Sequence, residues 1–229
     1  APISLFHGPG RTSDGYQVQI LANIGSVADV PDAITLGAEG VGLFRTEFCF
    51  LDREDEPSIA EQVKAYRAVF KCFSGRKVVI RTLDAGSDKP LPFLPIRNEA
   101  NPALGIRGYR TSWHSPEILC NQLMAIAQAA AAEHAEVWVM APMIATVEEA
   151  QEFVQKTRVA GLTIAGVMIE TPAAAIMADH LFEQVDFVSI GTNDLAQYTL
   201  AVDRMSSDLA VLNDPWQPSL MRMIELVCR

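Results

Sequence analysis

Ile164-Ala165-Gly166-Val167-Met168-Ile169, closed by Glu170 and followed by Thr171-Pro172 and an alanine run, is the stretch on which the fold turns. Six such residues are too few for a helix and show no alternation of polar partners. They read as a strand covered on both faces. Thr171 then Pro172 is a helix start: a hydroxyl cap, followed by a residue whose missing N–H is no loss in the first turn. A buried strand running straight into a helix is half of a parallel β–α–β unit.

Working outward, the same pairing recurs. Gln19-Ile20-Leu21-Ala22, Val41-Gly42-Leu43-Phe44, Val78-Val79-Ile80 and Val137-Trp138-Val139-Met140 come before it, and Phe187-Val188-Ser189-Ile190 comes after. Residues 58–73 space Ile59, Val63, Tyr66 and Phe70 at three and four, as a helix face does. Residues 116–133 are rich in Leu and Ala, and 146–160 open with Thr146 and Glu149 in capping-box spacing. Six strand–helix alternations imply a parallel sheet with helices outside it. No GxGxxG follows the first strand, so a doubly wound dinucleotide fold loses its main support. A TIM (β/α)8 barrel needs eight units, so the expectation is an α/β barrel truncated after the sixth βα unit. Residues 1–16 read as a lead-in to a single domain over 17–229. The stop inside a helical pattern at 221–229 suggests a piece of a longer protein.

The chain has 229 residues, 49 % of them hydrophobic, which is ample for a core. Its formal charge of −10 excludes a bulk basic surface for nucleic acid and a polybasic membrane anchor. No apolar run is long enough to span a bilayer, and the start lacks the pattern of a signal peptide. Cys49, Cys72, Cys120 and Cys228 form no CxxC pair, which fits a reduced, cytoplasmic protein without a zinc knot. Cys228, among Met223, Leu226 and Val227, reads as a core thiol. His7, His114, His134 and His180 have no metal-ligand spacing and are expected on surfaces or loops. Asp52-Arg53-Glu54-Asp55-Glu56 reads as a solvated turn.

Parallel sheets bind ligands at the carboxyl ends of their strands. Those ends carry Asn23; Arg45, Thr46 and Glu47; Arg81, Thr82 and Asp84; Pro142 and Met143; Glu170; and Thr192, Asn193 and Asp194. The long connection between Asp84 and about Ser115 adds Asp88, Lys89, Arg107 and Arg110, and Arg204 follows the last strand. A plain ion pair, Arg45 with Glu47 or Arg81 with Asp84, accounts for either arginine alone. Arg45, Arg81 and Arg107 together, with Lys89, point to an anion site, because guanidinium forks suit phosphate and carboxylate. Glu170 and Asp194 close neighbouring strands. Paired carboxylates beside cations suit a hard divalent ion such as Mg²⁺, although Asp194 as a helix cap and Glu170 as an ion-pair partner fit the spacing equally.

Five blocks, in order, carry a resemblance. They are Gly37-Ala38-Glu39-Gly40-Val41-Gly42-Leu43-Phe44-Arg45-Thr46-Glu47-Phe48; Arg81-Thr82-Leu83-Asp84 with Asp88-Lys89; Asn101-Pro102-Ala103-Leu104-Gly105-Ile106-Arg107; Gly166 to Ala175; and Asp186 to Thr199, leading to Asp203-Arg204. They resemble the phosphoenolpyruvate-utilising enzymes, and the last block is most similar to the Enzyme I (phosphoenolpyruvate–protein phosphotransferase) branch of the bacterial sugar phosphotransferase system. The resemblance implies a TIM barrel whose mouth takes phosphoenolpyruvate and Mg²⁺. It implies that Arg45, Arg81 and Arg204 hold the phosphoryl group, with Arg107 and Lys89 beside them. Asn193 would contact substrate, and Glu170 and Asp194 would ligate the metal. It further implies a homodimer that autophosphorylates on a histidine of another domain and passes the phosphoryl group to a histidine-containing phosphocarrier protein. The family's Gly-Met-Cys-Gly-Glu acid loop and its phospho-histidine motif do not occur in this sequence, so no catalytic residue is assigned within it. A Mg²⁺-dependent lyase or aldolase acting on a pyruvate enolate, and a non-catalytic phosphoenolpyruvate-sensing or dimerisation domain, are the alternatives.

Overall fold

A computed structural model describes residues 8–86, 91–94 and 99–229. Six strands, β1 (Ala22–Ile24), β2 (Val41–Arg45), β3 (Lys77–Arg81), β4 (Glu136–Ala141), β5 (Ala165–Ile169) and β6 (Phe187–Ile190), form one sheet. All neighbours are parallel, and the spatial order is the chain order, β1 to β6. A doubly wound sheet reverses its strand order at a switch point; this sheet does not. The parallel α/β expectation therefore holds, with six strands and with β1 and β6 as edges among the described residues.

Helices fill the crossovers. They are α1 (Val30–Thr35), α2 (Ile59–Phe70), α3 (Pro116–Ala132), α4 (Val147–Val159) and the short pair α5 (Pro172–Ile176) and α6 (Ala178–Phe182); α7 (Thr192–Leu200) and α8 (Pro218–Cys228) follow β6. Thr146 caps α4 by accepting from Glu149 N–H, in the capping box its sequence implies. Thr171 caps α5, with Pro172 in the first turn. Right-handed crossovers between successive neighbours put every helix on the same side of a sheet. The packing agrees. Val78, Ile80, Val139, Val167 and Ile169 join the helices in one large core, whereas Val79, Met140 and Met168 form a small separate cluster with Leu43, Trp138 and Phe187. The second cluster consists of strand side chains alone, and it floors the opposite face.

Three expectations need correction. The first strand lies at Ala22–Ile24, not Gln19–Ala22; the Ile20 N–H goes to the Glu39 carboxylate instead of to a neighbouring strand. β6 is only half-buried, as an edge strand with one open flank. Cys228 is exposed and is not a core thiol; α8 turns Leu220 and Val227 inward and carries Cys228 round to solvent. His114, His134 and His180 are exposed as expected, and His7 lies outside the described residues.

Candidate active site

At the carboxyl edge of the sheet is a cavity of about 650 Å³. Arg45, Arg81, Glu170, Asn193, Asp194 and Arg204 line it, with Asn23, Glu47, Asp84 and Thr192. These residues come from β1, β2, β3, β5 and α7 and the turns that follow, so the topology brings together groups far apart in sequence. Arg45 and Arg81 are register partners across β2 and β3.

Arg81, Glu47, Asp84, Arg107, Asp194 and Arg204 form one lattice of ion pairs, buried at its centre and open at Arg204. Arg81 donates from Nη2 to Glu47 Oε1 at 2.9 Å and pairs from Nη1 with Asp84 Oδ2 at 3.2 Å. The Asp84 backbone N–H donates to the same Glu47 oxygen at 3.2 Å. Arg107 grips Asp84 through two bonds, Nε to Oδ1 at 3.2 Å and Nη2 to Oδ2 at 3.1 Å. Its Nη1 donates to Asp194 Oδ1 at 2.8 Å. Arg204 Nη1 donates to Asp194 Oδ2 at 3.2 Å, so both oxygens of Asp194 carry a guanidinium partner. Tyr198 donates its hydroxyl to the Ala103 carbonyl and accepts from Arg107.

Burial works against charge on both central arginines, and the carboxylates more than reverse it. Arg81 is held above its ordinary pKa by Asp84, Glu47 and Glu170, and Arg107 by Asp84 and Asp194. Glu170 moves the other way. Burial, then the negative charge of Asp84, raise it to about 7; Arg81 opposes this, and Asp194 adds to the rise. Glu170 Oε1 accepts the Met143 N–H at 2.7 Å. Met143 has φ 58°, a left-handed conformation uncommon for a residue with a side chain, and its N–H is the donor Glu170 uses. Gly191 is needed opposite: a Cβ there would lie 2.9 Å from Glu170 Oε2.

Two observations define what this site suits. Arg81 lines the cavity with a guanidinium suited to an oxyanion, while its Nε is sealed behind the wall with no hydrogen-bond partner among the described residues. The N-terminal turn of α7, with Thr192 and Asn193 at the wall, adds backbone N–H groups and the positive end of a helix. The hard oxygens of Glu170 and Asp194, both at the cavity, could serve as donors to a metal. No group of three or more His, Cys, Asp or Glu is poised to hold an ion among the described residues. Such a pair fits an ion that completes its shell with water and substrate oxygens, as Mg²⁺ does.

Of the residues expected from sequence, Arg45, Arg81, Glu170, Asn193, Asp194 and Arg204 face the cavity, and Arg107 backs it through Asp194. Lys89 and Asp88 lie outside the described residues. Arg110 is elsewhere, paired with Glu149 at 3.4 Å. Asp194 does not cap α7; Gly191 holds the cap position and Asp194 sits inside the first turn. Glu47 and Asp84 were each readable as ion-pair partners, but both do more, because each bonds two groups of the lattice. Met143 contributes through its backbone, which no side-chain pattern signals.

The sequence profile of the PEP-utilising enzymes, PEP-binding domain, matches residues 4–229. A phosphoenolpyruvate-protein phosphotransferase of Streptomyces coelicolor is 50 % identical over 228 residues, covering 99 % of this chain and 41 % of the relative. One from Haemophilus influenzae is 46 % identical, covering 96 % and 40 %, and one from Haloferax volcanii is 43 % identical, covering 98 % and 42 %. The chain thus spans about two fifths of the length of these curated relatives. A profile match over nearly the whole chain, on a sheet whose carboxyl edge gathers arginines around paired carboxylates, establishes that the chain belongs to the family of PEP-utilising enzymes and corresponds to their PEP-binding domain.

Proposed function

We propose that the cavity binds phosphoenolpyruvate with Mg²⁺, and that the chain is the corresponding domain of a phosphoenolpyruvate–protein phosphotransferase with a TIM-barrel architecture. Arg45, Arg81 and Arg204 take the phosphoryl oxygens, with Arg107 behind them; Lys89 adds its charge to the anion's binding, and Asn193 orients the substrate. The observation that carries this reading is the convergence of Arg45, Arg81 and Arg204 with Glu170 and Asp194 on one cavity. The substrate is a small, highly charged anion, and a chain with a formal charge of −10 needs a local cluster of cations to hold it. Moving a phosphoryl group is a matter of positioning and charge neutralisation, which fixed guanidinium forks supply. Glu170 and Asp194 would hold Mg²⁺, whose contribution when bound is to neutralise charge on substrate oxygens. Each Asp194 oxygen already accepts one arginine bond and keeps a further lone pair, so Asp194 could hold the ion while Arg107 and Arg204 stay in place.

In this reading the phosphoryl group leaves the enol oxygen for a histidine of another domain of a homodimeric parent, and goes on to a phosphocarrier protein of the sugar phosphotransferase system. The location would be the cytoplasm; no described helix is long and apolar enough to cross a membrane. Calorimetry of phosphoenolpyruvate with Mg²⁺ on the full-length protein tests it. Arg81→Ala removes at least two charged hydrogen bonds and weakens binding by about 100-fold or more. Asp194→Ala abolishes the Mg²⁺ dependence. Unchanged affinity in Arg81→Ala overturns the assignment, and retained dependence in Asp194→Ala moves the metal elsewhere. Carbon–carbon cleavage without a phosphorylated protein would instead favour a lyase acting on the same enolate.

A further inference from the structure

Behind the cavity, on the helix side, lies a buried polar unit that none of the roles above uses. Gln122, on α3, is fully buried. Its amide oxygen accepts the Leu83 N–H at 2.9 Å. Its amide nitrogen donates to Thr46 Oγ1 at 3.0 Å and to the Tyr66 hydroxyl at 3.1 Å. The Thr46 hydroxyl donates in turn to the Arg81 carbonyl at 2.9 Å, and the Tyr66 hydroxyl donates to Gln62 Oε1 at 3.0 Å. A glutamine amide offers two donors and one acceptor carbonyl, and all three are in use here.

The partners give this unit its meaning. Thr46 lies between Arg45 and Glu47; Leu83 lies two residues after Arg81 and immediately before Asp84. One side chain from a helix therefore ties together the two strand-end turns that carry half of the charged lattice. A fully satisfied buried network is rigid, because any displacement leaves a polar group without a partner in a low-dielectric setting. The Tyr66 arm runs the opposite way, into α2, and Tyr66 is not among the residues that line the cavity.

We infer that Gln122 is a positioning residue for anion capture: through Thr46 and Leu83 it sets the relative placement of Arg45 and Arg81. This rests on the reading of the cavity as a phosphoenolpyruvate site. The test measures phosphoenolpyruvate affinity with Mg²⁺ by calorimetry, and the melting temperature, on the full-length protein. The variants are Gln122→Leu, Thr46→Val, Thr46→Ser and Tyr66→Phe, with Arg81→Ala as reference. Gln122→Leu keeps bulk but loses all three bonds, and Thr46→Val cuts the chain from Gln122 through Thr46 to the Arg81 carbonyl while sparing the Leu83 and Tyr66 bonds. Both are expected to weaken binding about tenfold or more, the loss of about one hydrogen bond from a guanidinium to the anion. Thr46→Ser, which retains the hydroxyl, restores affinity. Tyr66→Phe lowers the melting temperature and leaves affinity unchanged. If Gln122→Leu does not fold, Thr46→Val against Thr46→Ser decides alone. Parent-like affinity in Thr46→Val, or equal weakening in Tyr66→Phe, shows a merely structural glutamine and overturns the inference. Parent-like affinity in Arg81→Ala as well brings down the reading of the cavity, a separate failure.

Discussion

Replacing Arg107 by methionine tests the electrostatics of the site most directly. The Arg107 side chain is 3 % exposed and bridges Asp84 and Asp194, themselves 2 % and 7 % exposed. Methionine keeps most of the volume, so the change is one of charge and hydrogen bonding rather than of cavity. Removing one partner of a buried ion pair costs roughly 3–5 kcal/mol, because the opposite charge stays desolvated. Here each carboxylate keeps another arginine, Asp84 through Arg81 and Asp194 through Arg204, both at 3.2 Å. The expected loss therefore sits at the low end, about 3 kcal/mol. For a domain of this size, that corresponds to a fall in melting temperature of roughly 6–12 °C. Urea unfolding followed by circular dichroism at pH 7 reads it. The cycle with Asp84→Asn is the sharper measure: the double variant should be more stable than the summed single losses predict, by about 1 kcal/mol or more. A single-variant loss below about 1 kcal/mol, or additivity in the cycle, would refute the view that these charges depend on each other.

Other outcomes follow from local geometry. A Cβ on Gly166 would lie 2.5 Å from both the ring and the carbonyl oxygen of Phe187, its register partner on β6. Gly166→Ala should thus cost about 1–3 kcal/mol in urea unfolding, and a neutral result would show that β5 and β6 can part without penalty. Thr146→Ala removes the α4 cap and should cost about 1 kcal/mol by the same assay; no change would mean that Glu149 alone secures that turn. Burial pushes the Cys49 thiol up to about 12, while Cys72, Cys120 and Cys228 are exposed. At pH 8 a thiol reagent, counted by mass, should modify three cysteines in the native chain and the fourth only on unfolding. Because the folded pKa of Cys49 lies above its ordinary 9.0, stability held below pH 9 is lost as pH rises towards 12. Cys49→Ala should flatten that alkaline decline, and an equal decline in both proteins would count against the buried thiol.

The parts of the molecule visible in sequence are those where one physical preference dominates. Ala165–Ile169 with its Thr171-Pro172 cap is both apolar and correctly punctuated, and it forms as read. The charged cavity was visible because an arginine at the end of a buried strand has few reasons to be there. β1 was misplaced, and the Ile20 N–H goes to the Glu39 carboxylate from 19 residues away, a pairing no local pattern carries. Cys228 was misread because neighbours in a helical run share a sequence, not a face. Gln122 looks like any glutamine in an alanine-rich helix; its partners lie 39, 56 and 76 residues off and meet it only once the sheet exists. Met143 serves Glu170 through an amide that every residue has, so only the backbone angle singles it out.

The unbroken β1-to-β6 order has a consequence for how this chain comes off the ribosome. Each new strand docks beside the one made just before it, so the growing product can add layers without rearranging earlier ones. The pocket gains nothing from those intermediate stages. Its first guanidinium belongs to residue 45 and its last to residue 204, and Asp194 is not balanced from both sides until that late arginine emerges. A shortened translation product ending before Arg204 would thus lack one of the three guanidinium groups that line the cavity and leave Asp194 held by Arg107 alone.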